Sequence, residues 1–384
     1  MSKFRDSYFA YFLMYNFYFL SYSLFSTLIS VYMLDKGFSA SDVSLVVSAS
    51  FLTSMLVQPI MGILNDKMGI KRVTLISFII IILGAVFFMG ASSLWSLVLW
   101  YSVVMMLVNG VNPVMDILAA QSPYTYGKIR IWGTIGYALG SQLAGLIYQY
   151  VSPLAIFIVF IGMMVISIIG TLGVNPPHDK TSSHKEKVSL WTIFQNRTYL
   201  YYLIIVALYS GVGNTGHTYI PSMLEHAGMS VGLATTVVSI AVVCESPLIF
   251  FSYLFMDKVS VKKLLMIALS ILALQYLIYG LDLGLTSKVI MTLASKHITG
   301  MLLIMVTLKI VASLVDPRLL VTALAFVQTV RSLGTIAIQN ISGAIIDQAG
   351  YEMMSFFLVG VMVLVLLLAS FLKIPEKEGQ NLFS

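Results

Sequence analysis

Charged residues are scarce in this chain. Only 10% of its 384 residues are charged and 59% are hydrophobic, whereas a soluble domain contains about 25% charged residues. This composition excludes a soluble globular protein. The single cysteine, Cys244, excludes an internal disulfide bond. The first apolar stretch, residues 8–34, is too long for a signal peptide and lacks a small-residue cleavage site, so we expect it to remain as a membrane helix.

The sequence also lacks the residue clusters that catalytic and metal sites need. No metal-ligand spacing, phosphate-binding loop or nucleophile–base set occurs along the chain. We therefore expect no metal, no cofactor and no enzymatic activity.

Apolar stretches that can cross a bilayer occur twelve times. A helix needs about 20 apolar residues to span the hydrocarbon core. We predict an all-α integral membrane protein in which the spans, numbered 1 to 12, cover residues 8–34, 41–64, 73–91, 94–120, 128–150, 153–174, 198–224, 231–256, 262–281, 288–312, 319–346 and 353–373.

Positive charge is unevenly divided between the two sides of the predicted membrane. If the N-terminus is cytoplasmic, seventeen of the 22 lysines and arginines lie on cytoplasmic segments, and two, Lys36 and Lys288, lie on outer segments. Lysine and arginine favour cytoplasmic loops, so we expect both termini in the cytoplasm. This placement explains the formal net charge of +6 without a nucleic-acid partner. The short loops fit a bacterial inner membrane.

A polar linker divides the chain into two halves. Residues 175–189 (NPPHDKTSSHKEKVS) form the longest polar stretch and contain a proline pair, which stops a helix. We predict an N-terminal six-helix bundle over residues 1–174, a cytoplasmic linker over 175–194 and a C-terminal six-helix bundle over 195–384.

The two halves share two pairs of similar segments. Residues 66–72 (DKMGIKR) follow span 2, and residues 257–263 (DKVSVKK) follow span 8 at an offset of 191. Residues 130–135 (RIWGTI) open span 5, and residues 331–336 (RSLGTI) lie in span 11 at an offset of 201. These matches indicate a duplicated bundle. Such repeats build transporters whose binding site lies near the middle of the membrane.

Residues 62–72 (GILNDKMGIKR) resemble the G-x-x-x-D-K-x-G-x-K-R signature of the major facilitator superfamily. The resemblance implies two pseudo-symmetric six-helix bundles and a conformational latch in this loop. Its residues are Gly62, Asp66, Lys67, Gly69 and Arg72. The alternative is an ordinary short basic loop. The copy after span 8 has Tyr253 and Ser260 in place of the glycines, so we do not assign it a latch role.

Longer stretches resemble the lactose permease branch of sugar and nucleoside proton symporters. Residues 58–69 match its Q-P-x-x-G-x-x-x-D-K-x-G, and residues 126–138 resemble its F-G-R-x-R-x-F-G-x-x-G-W-A. In that branch the second basic residue binds sugar hydroxyls and the tryptophan stacks on a sugar ring. The resemblance assigns these roles to Arg130 and Tyr137, and places Asp116 where a glutamate pairs with the arginine. From hydropathy alone, Arg130 could be a cation at the membrane surface, and only the resemblance places it in the cavity.

Three spans carry an ionisable side chain near the middle. An ion at the bilayer centre costs about 2.5–3.5 kcal/mol, so such groups usually face water, a partner or a substrate. The family has buried ionisable residues at the positions of Glu245, His297 and Arg331, which implies a role in proton coupling. Glu245 and His297 could instead form structural hydrogen bonds between helices, and Lys296 could extend to the membrane surface. Glu245 is our preferred partner for Arg331.

Two departures from the family weaken the assignment of a disaccharide. Gly300 stands near the position of a span-10 glutamate, and residues 214–217 replace span-7 aspartates. An arginine at 331 without an acidic partner in span 7 favours an anionic solute.

Span 1 is rich in tyrosine. Tyr11, Tyr15 and Tyr18 share one face of a helix, and aromatic rings stack on the apolar faces of sugars. Tyrosine is also common at membrane interfaces, so a purely structural role is the alternative.

These features predict a secondary active transporter, a proton-coupled symporter of a small polar solute, with an oligosaccharide or glycoside preferred. The alternatives are a symporter of nucleosides or of aromatic or organic acids, and a multidrug proton antiporter. We expect a monomer whose partners are the solute, protons and the bilayer. Tyr11, Tyr15, Tyr18, Asp116, Arg130 and Tyr137 would bind the solute.

Overall fold

The computed structural model describes residues 4–175, 191–256, 258–316 and 319–374. These ranges are helical and contain no strand. The helices are α1 Tyr8–Ser26, α2 Ile29–Asp35, α3 Ala40–Met68, α4 Ile70–Met89, α5 Leu94–Ala120, α6 Tyr126–Tyr150, α7 Ala155–Gly173, α8 Trp191–Gln195, α9 Arg197–His226, α10 Val231–Val243, α11 Glu245–Phe250, α12 Ser252–Phe255, α13 Val261–Gly280, α14 Leu285–Leu314 and α15 Leu320–Phe371.

Every predicted span is helical, although the number of separate helices differs from twelve. In the described part of the chain, nine helical stretches are long and apolar enough to cross a membrane. One of them, Thr322–Phe371, covers spans 11 and 12, which are joined through a non-helical kink at Gly350 (φ 81°). The helices of spans 5 and 7, α6 and α9, have the length but are less apolar. The all-α membrane fold is confirmed, and the exact count of twelve is not.

Span 8 is broken where a proline interrupts its hydrogen bonds. Pro247 has no N–H to donate to the carbonyl of Val243, four residues earlier. Helix α10 accordingly ends at Val243, and α11 begins at Glu245. The break places an acidic side chain in the first turn of a new helix.

Contacts among the described residues divide the chain into two compact units. The first unit is Met1–Asp179 with Thr218–Val243, and the second is Lys180–His217 with Cys244–Ser384. The predicted bundles at 1–174 and 195–384 stay a prediction. The linker over 175–194 lies largely outside the described residues, as does Asp257 of the second loop motif.

In the first unit, α1 packs against α6 and α7, and α5 packs against α3 and α4. Glycines allow the backbone of α6 to approach α1. A Cβ atom at Gly136 would collide with the carbonyl oxygen of Asn16, and one at Gly140 with that of Leu20. Helix α10 packs on the same helix α6.

In the second unit, α13 packs against α14 and α15. Glycine again allows a close approach, because a Cβ at Gly334 of α15 would collide with the carbonyl oxygen of Ala207 in α9. Three tyrosine hydroxyls fix α9 further: Tyr202 and Tyr209 contact Thr307 at 2.8 Å each, and Tyr276 donates to the Val212 carbonyl at 2.9 Å.

The repeated segments occupy equivalent places in the two units. Lys71 Nζ donates to the carbonyl of Leu172 at 2.7 Å, at the end of α7, and Lys262 Nζ donates to that of Ser370 at 2.6 Å, at the end of α15. The lysines are 191 residues apart, as the loop motif predicts. Each unit therefore ties the start of its third predicted span to the end of its sixth.

Candidate functional site

A cluster of polar side chains in the first unit centres on Asp116 of α5. Asp116 Oδ1 accepts hydrogen bonds from the hydroxyls of Tyr15 at 2.5 Å and Tyr126 at 3.0 Å. Arg130 Nε lies 3.9 Å from the same oxygen. The side chains of Arg130 and Asp116 are 41% and 43% exposed, so both retain surface for a further contact. The structure thus brings three predicted site residues together, on α1, α5 and α6.

Glycine and aromatic packing position the arginine in this cluster. A Cβ atom at Gly133 would lie 2.6 Å from Tyr15 Cε1 and 3.0 Å from Arg130 Nη1. The Arg130 guanidinium lies over the Phe19 ring, 5.5 Å from its centroid. The small residue therefore makes room for both side chains, and the ring supports the cation from one side.

Tyr137 lies one to two helical turns further along α6, in a second aromatic contact. Its ring packs edge-on against Tyr22 with centroids 5.9 Å apart. The Tyr22 hydroxyl reaches Asn109 Oδ1 at 3.3 Å, and Asn109 donates to Ser54 Oγ at 3.0 Å. This arrangement offers an aromatic surface with hydrogen-bonding groups beside it.

Two predicted tyrosines lie apart from this cluster. Tyr18 is fully buried and its hydroxyl donates to the Val108 carbonyl at 2.5 Å, which joins α1 to α5. Tyr11 is buried and packs edge-on against Tyr124, with centroids 6.0 Å apart. Tyr11 and Tyr18 share a helix face with Tyr15, but neither hydroxyl forms a described hydrogen bond with Asp116.

The second unit holds an acid and two imidazoles together. His297 Nδ1 of α14 lies 3.7 Å from Glu245 Oε2, and both side chains are largely buried. The His217 ring of α9 packs edge-on against His297 with centroids 5.3 Å apart. A carboxyl group beside an imidazole is an arrangement through which a proton can pass.

Arg331 of α15 faces α9 rather than an acid. Its Nε donates to Ser210 Oγ at 3.2 Å. One turn away on both helices, Asn214 Nδ2 donates to Thr335 Oγ1 at 2.7 Å. Among the described residues, Arg331 and Glu245 form no ion pair, and Glu245 lies against His297 instead. The preferred pairing of Glu245 with Arg331 is therefore not observed.

Lys296 does not extend to the membrane surface. Its residue is only 8% exposed, and its charge lies within electrostatic reach of the His217 and His297 rings. The alternative of an outward-reaching lysine is therefore wrong. Lys296 belongs to the interior of the second unit.

The predicted latch loop is exposed and open. Gly69 separates α3 from α4 with φ 85°, a conformation that glycine adopts without strain. A Cβ at Gly62 would meet open space. Asp66, Lys67 and Arg72 are exposed and make no ion pair with any described residue. The latch stays a prediction.

Two members of these clusters were not predicted from the sequence. Tyr126 lies four residues before Arg130 on α6, a spacing that places both on one helix face. His217 follows Ser210 by seven residues on α9, which again gives one face. For Tyr126, the i, i+4 spacing from Arg130 is the signal that could have found it. For His217, the signal is its place within residues 214–217, where the resembled family has span-7 aspartates.

Comparison with known proteins identifies the family of this chain. The model of the MFS_1 like family matches residues 8–359. The sucrose permease of Escherichia coli is 24% identical over 98% of this chain and 96% of its own length. An Escherichia coli (strain K12) protein named "Probable 3-phenylpropionic acid transporter" is 23% identical over 65% of this chain and 68% of its own.

A solved structure supports the fold. The crystal structure of the nucleoside transporter NupG superimposes with a TM-score of 0.81, covers 94% of this chain and 98% of its own, and is 16% identical. These findings confirm the predicted resemblance to major facilitator transporters. Because the family model matches most of its length, the chain belongs to the MFS_1 like family, a multi-pass membrane transporter family.

Proposed function

We propose that this protein is a secondary active transporter that takes up an oligosaccharide or related glycoside together with protons. The observation that carries the proposal is the half-exposed pair of Asp116 and Arg130 within predicted membrane spans. Charged side chains within a membrane span are energetically unfavourable, and they usually belong to a functional site. Its carboxylate accepts and its guanidinium donates hydrogen bonds, which is what a polyhydroxylated solute needs.

The aromatic residues beside the pair support a sugar ring as ligand. Tyr137 and Tyr22 form one aromatic contact, and Phe19 packs under Arg130. Aromatic faces bind the apolar faces of sugars while neighbouring polar groups bind hydroxyls. The sucrose permease relative also fits a glycoside solute.

In this proposal Glu245 and His297 carry the proton. Their atoms lie 3.7 Å apart, so a small approach of the two side chains, or one bridging water, would let a proton pass between carboxyl and imidazole as the solute site alternates between the two sides. No bond of the solute is made or broken in this cycle. We further propose that the protein acts as a monomer in a bacterial inner membrane, with both termini in the cytoplasm and the latch loop of residues 62–72 on that side.

The test is solute uptake into proteoliposomes that contain the purified protein. Radiolabelled sucrose and a panel of other di- and trisaccharides would be offered with and without an imposed inward proton gradient. We expect at least one glycoside to accumulate only when the gradient is present. Uptake that ignores the gradient for every glycoside would contradict the proposal.

A further inference from the structure

Positive charge exceeds negative charge in the middle of the second unit. Glu245 is the only acid within predicted spans 7 to 12, whereas Lys296 and Arg331 both lie near the middle of a span. Glu245 lies against His297. No described carboxylate oxygen lies within 4.0 Å of Lys296 or Arg331. Two cations therefore lack a counter-ion among the described residues.

Arg331 offers the donors that a carboxylate requires. Its Nε–H donates to Ser210 Oγ, and its two terminal amino groups have no acceptor in the part of the chain that the structure describes. The side chain is neither fully buried nor fully exposed. A guanidinium keeps its charge in proteins and binds carboxylate oxygens through two parallel hydrogen bonds. A hydroxyl group would leave that charge uncompensated.

Lys296 supplies a second, independent observation. The residue is only 8% exposed, and its ammonium group forms no ion pair with any described residue. A cation held in the protein interior without a counter-ion is costly, so an anion brought beside it is stabilised. Lys296 precedes His297, whose ring packs against His217 of α9. Arg331 contacts Ser210 of the same helix, seven residues before His217, so both cations lie along α9 in the second unit.

We propose that the second unit binds a carboxylate group of the solute, held by Arg331 and further neutralised by Lys296. This inference rests on the proposed transport function and narrows its solute to carboxylate-bearing compounds. A glycoside of a uronic acid and an arylalkanoic acid both present this group. The relative named for 3-phenylpropionic acid makes the second source worth testing beside the first.

The experiment measures binding to the purified protein in detergent by isothermal titration calorimetry, with two pairs of matched ligands. The first pair is 4-nitrophenyl β-glucuronide and 4-nitrophenyl β-glucoside. The second is 3-phenylpropionate and 3-phenylpropionamide. Each pair differs in charge and little in shape, and comparing pairs distinguishes the two sources of the carboxylate.

We expect the acid of at least one pair to bind about tenfold or more tightly than its neutral partner, which corresponds to one charge-assisted hydrogen bond. Arg331→Gln and Lys296→Met should each weaken binding of that acid about tenfold. Lys263→Met is the matched control, because Lys263 is exposed in the same unit and has no described partner. It should leave the affinity unchanged.

Three results would overturn the inference: neither acid binds at millimolar concentration, the neutral partners bind as tightly, or both variants keep the affinity of the unmodified protein. The acid-against-neutral comparison uses the unmodified protein and so does not depend on folding of a variant. If only neutral glycosides bind, the carboxylate site is contradicted, but the proposed glycoside transport is not. If 3-phenylpropionate binds and neither glycoside does, the carboxylate site is supported and a glycoside solute is contradicted.

Discussion

Among single residues, the direction in which a few ionisable side chains point decides whether they can bind a solute or a proton. Hydropathy gives the depth of a side chain in the membrane but not the direction in which it leaves the helix. Helix α14 carries a polar stripe at i, i+4, i+7 and i+8, and its four members are buried: Lys288, Thr292, Ser295 and Lys296. This spacing predicts that Lys296 points into the protein, as it does in the structure, whereas the mean hydropathy of the span contains no such information. The pairing of Arg130 with Asp116 could be predicted from the resemblance to a known family, but not from hydropathy.

Asp116→Asn should weaken solute binding without unfolding the protein. The amide keeps the shape but loses the charge that Arg130 and two tyrosine hydroxyls contact. Hydrogen bonds to a charged group contribute about 1.5–3 kcal/mol, so affinity should fall about 10- to 100-fold. Titration of the purified variant with the solute found in the uptake screen measures this.

Tyr15→Phe should give a smaller loss, because it removes one hydrogen bond to the carboxylate and leaves the charge. Tyr150→Phe is its control, since Tyr150 is 74% exposed at the end of α6. Equal affinities for Asp116→Asn and the unmodified protein would remove this cluster from the binding site.

At the scale of helices, apolar length was enough to predict where the chain crosses the membrane. It was not enough to predict how helices join or break. Spans 11 and 12 form one helical segment, α15, because the chain turns between them at a single residue with positive φ, Gly350. Span 8 breaks at a proline, and nothing in hydropathy distinguishes a bent helix from a broken one.

Pro247→Ala should join α10 and α11 into one helix. Restoring the N–H at position 247 allows a hydrogen bond to the Val243 carbonyl and removes the steric conflict of the proline ring. Amide hydrogen exchange over residues 244–250 should slow, and proton-driven uptake should fall because Glu245 turns away from His297. Pro59→Ala serves as the control, because Pro59 lies inside the continuous helix α3. Unchanged exchange and uptake in Pro247→Ala would show that the break has another cause.

Gly140→Ala should destabilise the first unit. The added Cβ collides with the Leu20 carbonyl across the α1–α6 contact, and overpacking of this kind costs about 1–3 kcal/mol. Gly162→Ala in α7 adds the same group where a Cβ meets nothing within 4 Å. Thermal melting in detergent should fall by several degrees for the first variant only. Equal melting temperatures would show that the close approach of α1 and α6 contributes little.

At the level of the whole molecule, the predicted duplication of a six-helix bundle would explain both loop motifs and both arginines. The segments at 130–135 and 331–336 each place an arginine near a glycine that lets its helix approach a neighbour. Gly133 lies against Tyr15, and Gly334 lies against Ala207. The two arginines have different surroundings in the structure. Arg130 lies beside Asp116, and Arg331 has only Ser210 as a described side-chain partner.

In the proposed mechanism, ionisable groups buried in the membrane spans couple proton movement to solute movement. The decisive measurement is accumulation of the solute in proteoliposomes under an inward proton gradient, for the unmodified protein and Glu245→Gln. We predict that the unmodified protein concentrates the solute inside. The variant should equilibrate it across the membrane and still exchange it against internal solute. Full accumulation by Glu245→Gln would contradict the account.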